Sequence, residues 1–236
     1  MVSTNAKLSA SLSEQAYQLI LDQILRRGLP IGSVVSRRSL GEQFGMSMVP
    51  VAEAMQRLEI EGLLESRPRA GTRVRAPNSD EARERFELRE ALECQSARLC
   101  AVRATFKEKL DLKRAAENID ALFSKVAHRE SDQDFVFAVQ KYHVDLHMKV
   151  AGCARSEALR LALEKSHVLI FNWLYDIVSG HSLPSHFHRK LISVIVDGDP
   201  QKAEDAMRAH VNYGLEAVKA AVKPLRTDKW RAKRQT

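Results

Sequence analysis

With 236 residues, 44% of them hydrophobic and 28% charged, the chain has an ordinary soluble composition and room for one large domain or two modest ones. No apolar run approaches about 18 residues, and the first fifteen residues, "MVSTNAKLSASLSEQ", lack an apolar core, so neither a membrane span nor a secretory signal is expected. The net charge of +7 is compatible with a nucleic-acid partner without establishing one, since part of it sits in the tail "KPLRTDKWRAKRQT".

The first 79 residues read as two helical stretches, about 11–27 and 36–44, followed by "GMSMVPVAEAMQRLEIEGLLES" and an Arg-, Pro- and Gly-rich segment. In "SRRSLGEQFGMSMVPVAEAMQRLEIEGLL", Leu40 and Phe44 form one apolar edge, and Gly45 permits a tight turn. Ser47 then caps a helix that buries Val51, Ala54, Met55 and Leu58. A short helix, a glycine turn and a second helix make the helix-turn-helix plan, whose second helix can enter a major groove. "LLESR" and "TRVRA" read as two strands turned at Pro68–Gly71. They form a wing with Arg67, Arg69, Arg73 and Arg75. "APNSD" serves as linker, with Asn78 or Ser79 capping the next helix. The expected boundaries are 1–77 for the DNA-binding domain and 78–236 for a helical domain with a basic tail.

From Asp80 to Ala151 there is neither Gly nor Pro, and Phe135, Val139, Tyr142, Leu146 and Val150 recur at helical spacing. Breaks fall at "AGCARS", "SGHSLPS" and "DGDP", and Asp199–Pro200 reads as a helix start. Residues 80 to about 222 are therefore expected to form six or so helices packed as an antiparallel bundle. Cys94, Cys100 and Cys153 form no CxxC pair and read as free thiols of a reducing cytoplasm, the expected location.

"YHVDLHMKV", residues 142–150, places His143 and His147 four apart with Asp145 between them. At about 100° per residue the two histidines share a helical face, and Asp145 points nearly the opposite way. A lone pair at this spacing is more often incidental than metal-binding. His128, His167, His181 and His186 receive no ligand role, although His186 is the nearest substitute for His188.

"LPIGSVVSRRSLGEQFGMSMVPVAEAMQRLEIEGLLESRPRAGTRV" resembles the winged-helix domain of GntR-type bacterial transcription regulators, over about residues 12–76. That family usually carries arginine at the positions of Met48 and Ala52, which leaves the operator sequence open. The resemblance implies contacts to double-stranded operator DNA from Arg37, Arg38, Ser47, Arg57, Arg69 and Gly71; Arg57 reads equally as a solvated helix residue. "FELREALECQSARL", "LHMKVAGCARSEAL" and "HRKLISVIVDGDPQKAEDAMRAHV" resemble the FCD effector domain of the FadR branch, over about residues 80–222.

In that branch a divalent metal is commonly held by three histidines and an aspartate. The matching positions are His147, His188 and His210, with His143 where the aspartate would stand. An all-imidazole set suits zinc first, and nickel or iron as well. Arg89 matches an arginine that faces the effector, though it also stands i,i+4 to Glu93 as an ordinary helix pair. The implied protein is a homodimeric regulator, a repressor more often than an activator, responsive to a small organic acid, and not an enzyme. Two alternatives remain at this level: a metal-dependent hydrolase, and a regulator whose helical domain only dimerises.

Overall fold

The computed structural model describes residues 11–76, 79–126, 132–179 and 183–222. The basic tail, Asn78, His128 and His181 lie outside them, and so does the cap expected at the start of the second domain, although Ser79 opens the helix there. The chain divides into two compact units at Ala76/Pro77. No helix among the described residues is long and apolar enough to cross a membrane.

The first unit runs α1 (Leu12–Leu25), β1 (Val34–Val35), α2 (Arg37–Phe44), α3 (Met48–Ile60), β2 (Leu64–Arg67) and β3 (Gly71–Val74). Ser11 caps α1 by accepting from the Glu14 N–H at 3.1 Å, and Ser36 caps α2 by accepting from the Ser39 N–H at 3.3 Å. Gly45 ends α2 at φ 65°, a left-handed conformation that glycine adopts without Cβ strain. That turn lets α3 double back, and Tyr17, Ile20, Leu40, Val51, Leu58, Leu63 and Val74 close a common core. The sheet order is β1-β3-β2, antiparallel throughout, with Leu64 opposite Val74 and Arg67 opposite Gly71. β1, two residues long and not expected from the sequence, adds a third strand against Thr72 and Arg73.

The second unit contains seven helices among the described residues rather than six or so: α4 (Ser79–Arg103), α5 (Phe106–Val126), α6 (Gln133–Cys153), α7 (Glu157–Lys165), α8 (Val168–Ser179), α9 (Phe187–Asp197) and α10 (Pro200–Val222). The Gly- and Pro-free stretch is broken after α4 by a capping box. Thr105 Oγ1 accepts from the Glu108 N–H at 3.3 Å, and the Glu108 carboxylate accepts from the Thr105 N–H at 2.7 Å. Asp199 accepts from the N–H groups of Gln201 and Lys202 at 3.0 and 3.1 Å, which starts α10 at the expected Asp-Pro step. α4 packs against α10, α6, α7, α8 and α9, while α5 packs on α6 and α9. This arrangement brings α6, α9 and α10 to one interior point.

Candidate metal centre and nucleic-acid interface

The period of α6 sorts its side chains largely as the sequence indicates, except that Tyr142, expected in the apolar series, is 59% exposed. His143 and His147 are buried with Val139, Leu146 and Val150, and Asp145 is exposed. The Nε2 atoms of the two histidines lie 3.0 Å apart. His188 comes from the first turn of α9 and His210 from the middle of α10; both are buried. One ligand atom from each of the four lies within 4.8 Å of all the others. Phe123 stacks on His188 and Phe187 on His210, closing the cluster on two sides. His167 and His186 stand outside it.

Two carboxylates brace this set, and the sequence reading assigned neither to it. Glu93 on α4 accepts from His147 Nδ1, and in the neutral ring a proton on Nδ1 leaves Nε2 as the electron-pair donor. Asp120 on α5 does the same for His188 Nδ1 at 2.8 Å and also accepts from the backbone N–H groups of His188 and Arg189 at 3.1 and 3.0 Å. One carboxylate thus caps α9 and orients its histidine. Burial raises the affinity of Glu93 for a proton, but the Arg89 guanidinium and His147 outweigh it and bring its pKa down to about 2. Asp120 is likewise lowered, its burial outweighed by the bonds from His188 and Arg189.

The histidines are shifted the other way. Burial, reinforced by the neighbouring rings and Arg89, holds His143 and His210 well below the ordinary imidazole value, and burial also lowers His188. Their lone pairs are therefore available at neutral pH. His188 Nε2 and His210 Nδ1 are buried without a hydrogen-bond partner. Such atoms are costly to leave unsatisfied, and a metal ion satisfies them. At about 2.1 Å from each nitrogen an ion needs N···N separations of roughly 3–4 Å, so closing the observed spread takes side-chain shifts under about 1 Å. The donor set fits a transition metal.

Of the two sequence readings of Arg89, the helix pair with Glu93 is present. Arg89 is 2% exposed and pairs with Glu93, itself 1% exposed. It also lines a cavity with Gln140, His143, His147, Leu169 and Trp173. A charge pair this deeply buried is far from the solvated helix pair the spacing alone suggested.

In the first unit, Arg37 and Arg38 stand exposed on the first turn of α2, and Arg38 pairs with Glu42 at 3.0 Å. Ser47 holds the N-cap position of α3, but its hydroxyl makes no capping bond. Beside it, Met48 and Val49 are 58% and 67% exposed, an apolar pair at the N-terminal turn of the helix. Arg69 and Gly71 lie at the exposed wing tip, where the Ala70 N–H bonds the Arg67 carbonyl at 3.1 Å and Arg69 takes φ 62°. Holding a non-glycine residue there costs of order 1 kcal/mol.

Arg57 has partners within the first unit. It sits in the last turn of α3, away from this face, and its guanidinium bonds Glu14 at 2.6 Å and Glu61 at 2.9 Å while lying 3.8 Å over the Tyr17 ring. Through Nε and Nη1 it ties α3 to α1, with its side chain 46% exposed.

Residues 12–74 match the bacterial regulatory proteins of the gntR family, and residues 84–213 match the FCD domain. A probable D-xylose utilization operon transcriptional repressor of Paenarthrobacter nicotinovorans is 29% identical over 222 residues, covering 92% of this chain and 94% of that one. The HTH-type transcriptional repressor RspR of Escherichia coli (strain K12) is 24% identical over 222 residues, covering 92% and 93%. Among solved structures, E. coli McbR/YncC superposes with a TM-score of 0.71 at 18% identity, covering 90% of this chain and 99% of that one. A GntR regulator from Rhodococcus sp. RHA1 gives 0.70 at 15% identity, with coverage of 90% and 99%. With both units matched in order along one chain, the protein belongs to the GntR family of bacterial regulatory proteins, as a ligand-responsive, DNA-binding transcription regulator whose C-terminal half is an FCD domain.

Proposed function

We propose that the protein is a homodimeric repressor whose affinity for a double-stranded operator is set by a small carboxylate bound beside a metal, zinc by default, held by His143, His147, His188 and His210. The observation that carries this reading is the buried four-histidine cluster, with two rings braced by carboxylates and two nitrogens left without partners. Bound there, the metal supplies positive charge and a coordination position for an anionic oxygen at higher coordination number. Glu93 and Asp120 fix the tautomers of His147 and His188, and the aromatic rings exclude water. Arg89 adds positive charge on the same cavity. Effector and operator affinities are then linked by one coupling free energy.

The purified protein should carry about one transition metal per chain, measured by plasma mass spectrometry, and lose it on acidification once protons compete for the imidazole nitrogens. Protein purified without chelator that holds no metal and takes none up would remove the basis of the proposal.

His143 tests the ligand assignment more closely. His143→Asp keeps a ligand on the same helical face, so metal content should hold, while the added negative charge should weaken a carboxylate effector. Asp145→Ala should alter neither, because its side chain is exposed. Metal lost in Asp145→Ala but retained in His143→Leu would overturn the assignment.

On the DNA side, Arg37, Arg38, Ser47, Arg69 and Gly71 are proposed as the contact set. Arg69→Ala should weaken operator binding and lower the slope of log K against log salt by about one, the value for one released counterion. Arg57→Ala should act through the stability of the winged unit instead. Fluorescence anisotropy across a salt series, paired with thermal melts, separates the two; an unchanged salt slope in Arg69→Ala removes the wing from the contact set.

A further inference from the structure

Helix α3 opens on an apolar surface. Met48 and Val49, its first two residues, are both exposed, and Ala52 stands partly buried one turn after Met48, on the same side. Pro50 and Val51 turn inward, and with Ala54, Met55 and Leu58 they hold the helix on its unit, so the exposed pair is not needed for packing. Glu53 and Gln56 continue the exposed face, and α3 carries no basic side chain ahead of Arg57 in its last turn. The exposed cations of the DNA-facing set lie on other elements, Arg37 and Arg38 on α2 and Arg69 at the wing tip. The unit thus offers charge from its flanks and apolar surface from the start of its second helix.

A helix-turn-helix presents the N-terminal residues of that helix to base edges in the major groove. An arginine or lysine there reads guanine through O6 and N7, and the first two turns of α3 have none to offer. Of the groups that base pairs display in the major groove, the C5 methyl of thymine is the apolar one. Set against it, Met48 and Val49 take apolar surface of both molecules out of water. Set against guanine or cytosine edges, the same side chains would cover hydrogen-bonding atoms and leave them without partners, which is costly.

We propose that Met48 and Val49 read thymine, the operator placing thymine C5 methyl groups against these two side chains while the arginines of α2 and the wing hold phosphates. This rests on the reading of the first unit's contact set and adds base recognition to it.

The test begins with selection of bound sequences from a random duplex library by the full-length protein. Each thymine of the selected site is then replaced by deoxyuridine, which removes the methyl and keeps the base pair. Anisotropy titrations should show affinity falling about fourfold for each contacted methyl, the factor for burying one such group. In the double variant Met48→Ala, Val49→Ala the thymine and uracil duplexes should bind equally. Its slope of log K against log salt should match wild type, since no phosphate contact is lost, in contrast to Arg69→Ala. If a site is selected and no uracil weakens wild-type binding, the thymine reading is wrong and the phosphate contacts stand. If no sequence is enriched, base reading by α3 falls as well. A uracil penalty that persists in the double variant overturns the assignment to these residues. The wild-type comparison needs no variant, so a variant that fails to fold does not shield the proposal.

Discussion

Glu93→Leu is expected to destabilise the helical domain by about 3–5 kcal/mol in metal-free protein. Arg89 and Glu93 are both almost wholly buried, and His147 shares the same carboxylate. Removing the anion leaves the guanidinium without its carboxylate in a low-dielectric interior, and breaking one side of a buried pair typically costs that much. Replacing both members with apolar side chains of similar volume, as in Arg89→Met with Glu93→Leu, should recover most of the loss, because the desolvation of two charges disappears with them. Urea unfolding followed by tryptophan fluorescence reports on this region through buried Trp173. A Glu93→Leu variant within about 1 kcal/mol of wild type would show that the pair contributes little. Metal affinity should fall as well, by about 10–100-fold, as His147 loses the acceptor that sets its tautomer.

Acidification should have an effect of similar size on the metal-free protein. His143, His188 and His210 are lowered in the folded state from the ordinary 6.5, chiefly by burial. Below that value the unfolded chain binds protons that the folded chain refuses, so stability falls as the pH drops. Each histidine contributes up to about 1.4 kcal/mol per pH unit, and the three together up to about 4. A second loss follows between about pH 4.5 and 2, as Glu93, lowered from 4.5 to about 2, takes up its proton. Urea midpoints should be flat above pH 7 and drop steeply between 6.5 and 5. Zinc should oppose the drop until it dissociates, since it binds only the neutral rings. A flat profile from pH 7 to 5 in metal-free protein would mean that the histidines are not held neutral by burial.

The features legible in the sequence were those governed by short-range geometry. The glycine at position 45 takes the positive φ that a tight interhelical turn needs. The 3.6-residue period puts His143 and His147 inside and Asp145 outside without reference to any other helix. The Asp-Pro step opens α10, and the Thr105–Glu108 capping box that interrupts the long Gly- and Pro-free stretch is a helix-start pattern of the same short range. β1 was not available in this way, because two valines carry no period and become a strand only by pairing with β3.

Tertiary structure decided what each long side chain meets. Asp120 reaches His188 across 68 positions of sequence, and Glu93 reaches His147 across 54. Arg57, which the sequence left between DNA and solvent, is taken by Glu14, 43 positions away on α1. Periods and caps act over about four residues, where backbone geometry dictates which groups are neighbours. Ion pairs and hydrogen bonds between distant segments depend on how helices pack, and the same carboxylate is a solvated surface group or a buried brace according to which helix lies across from it.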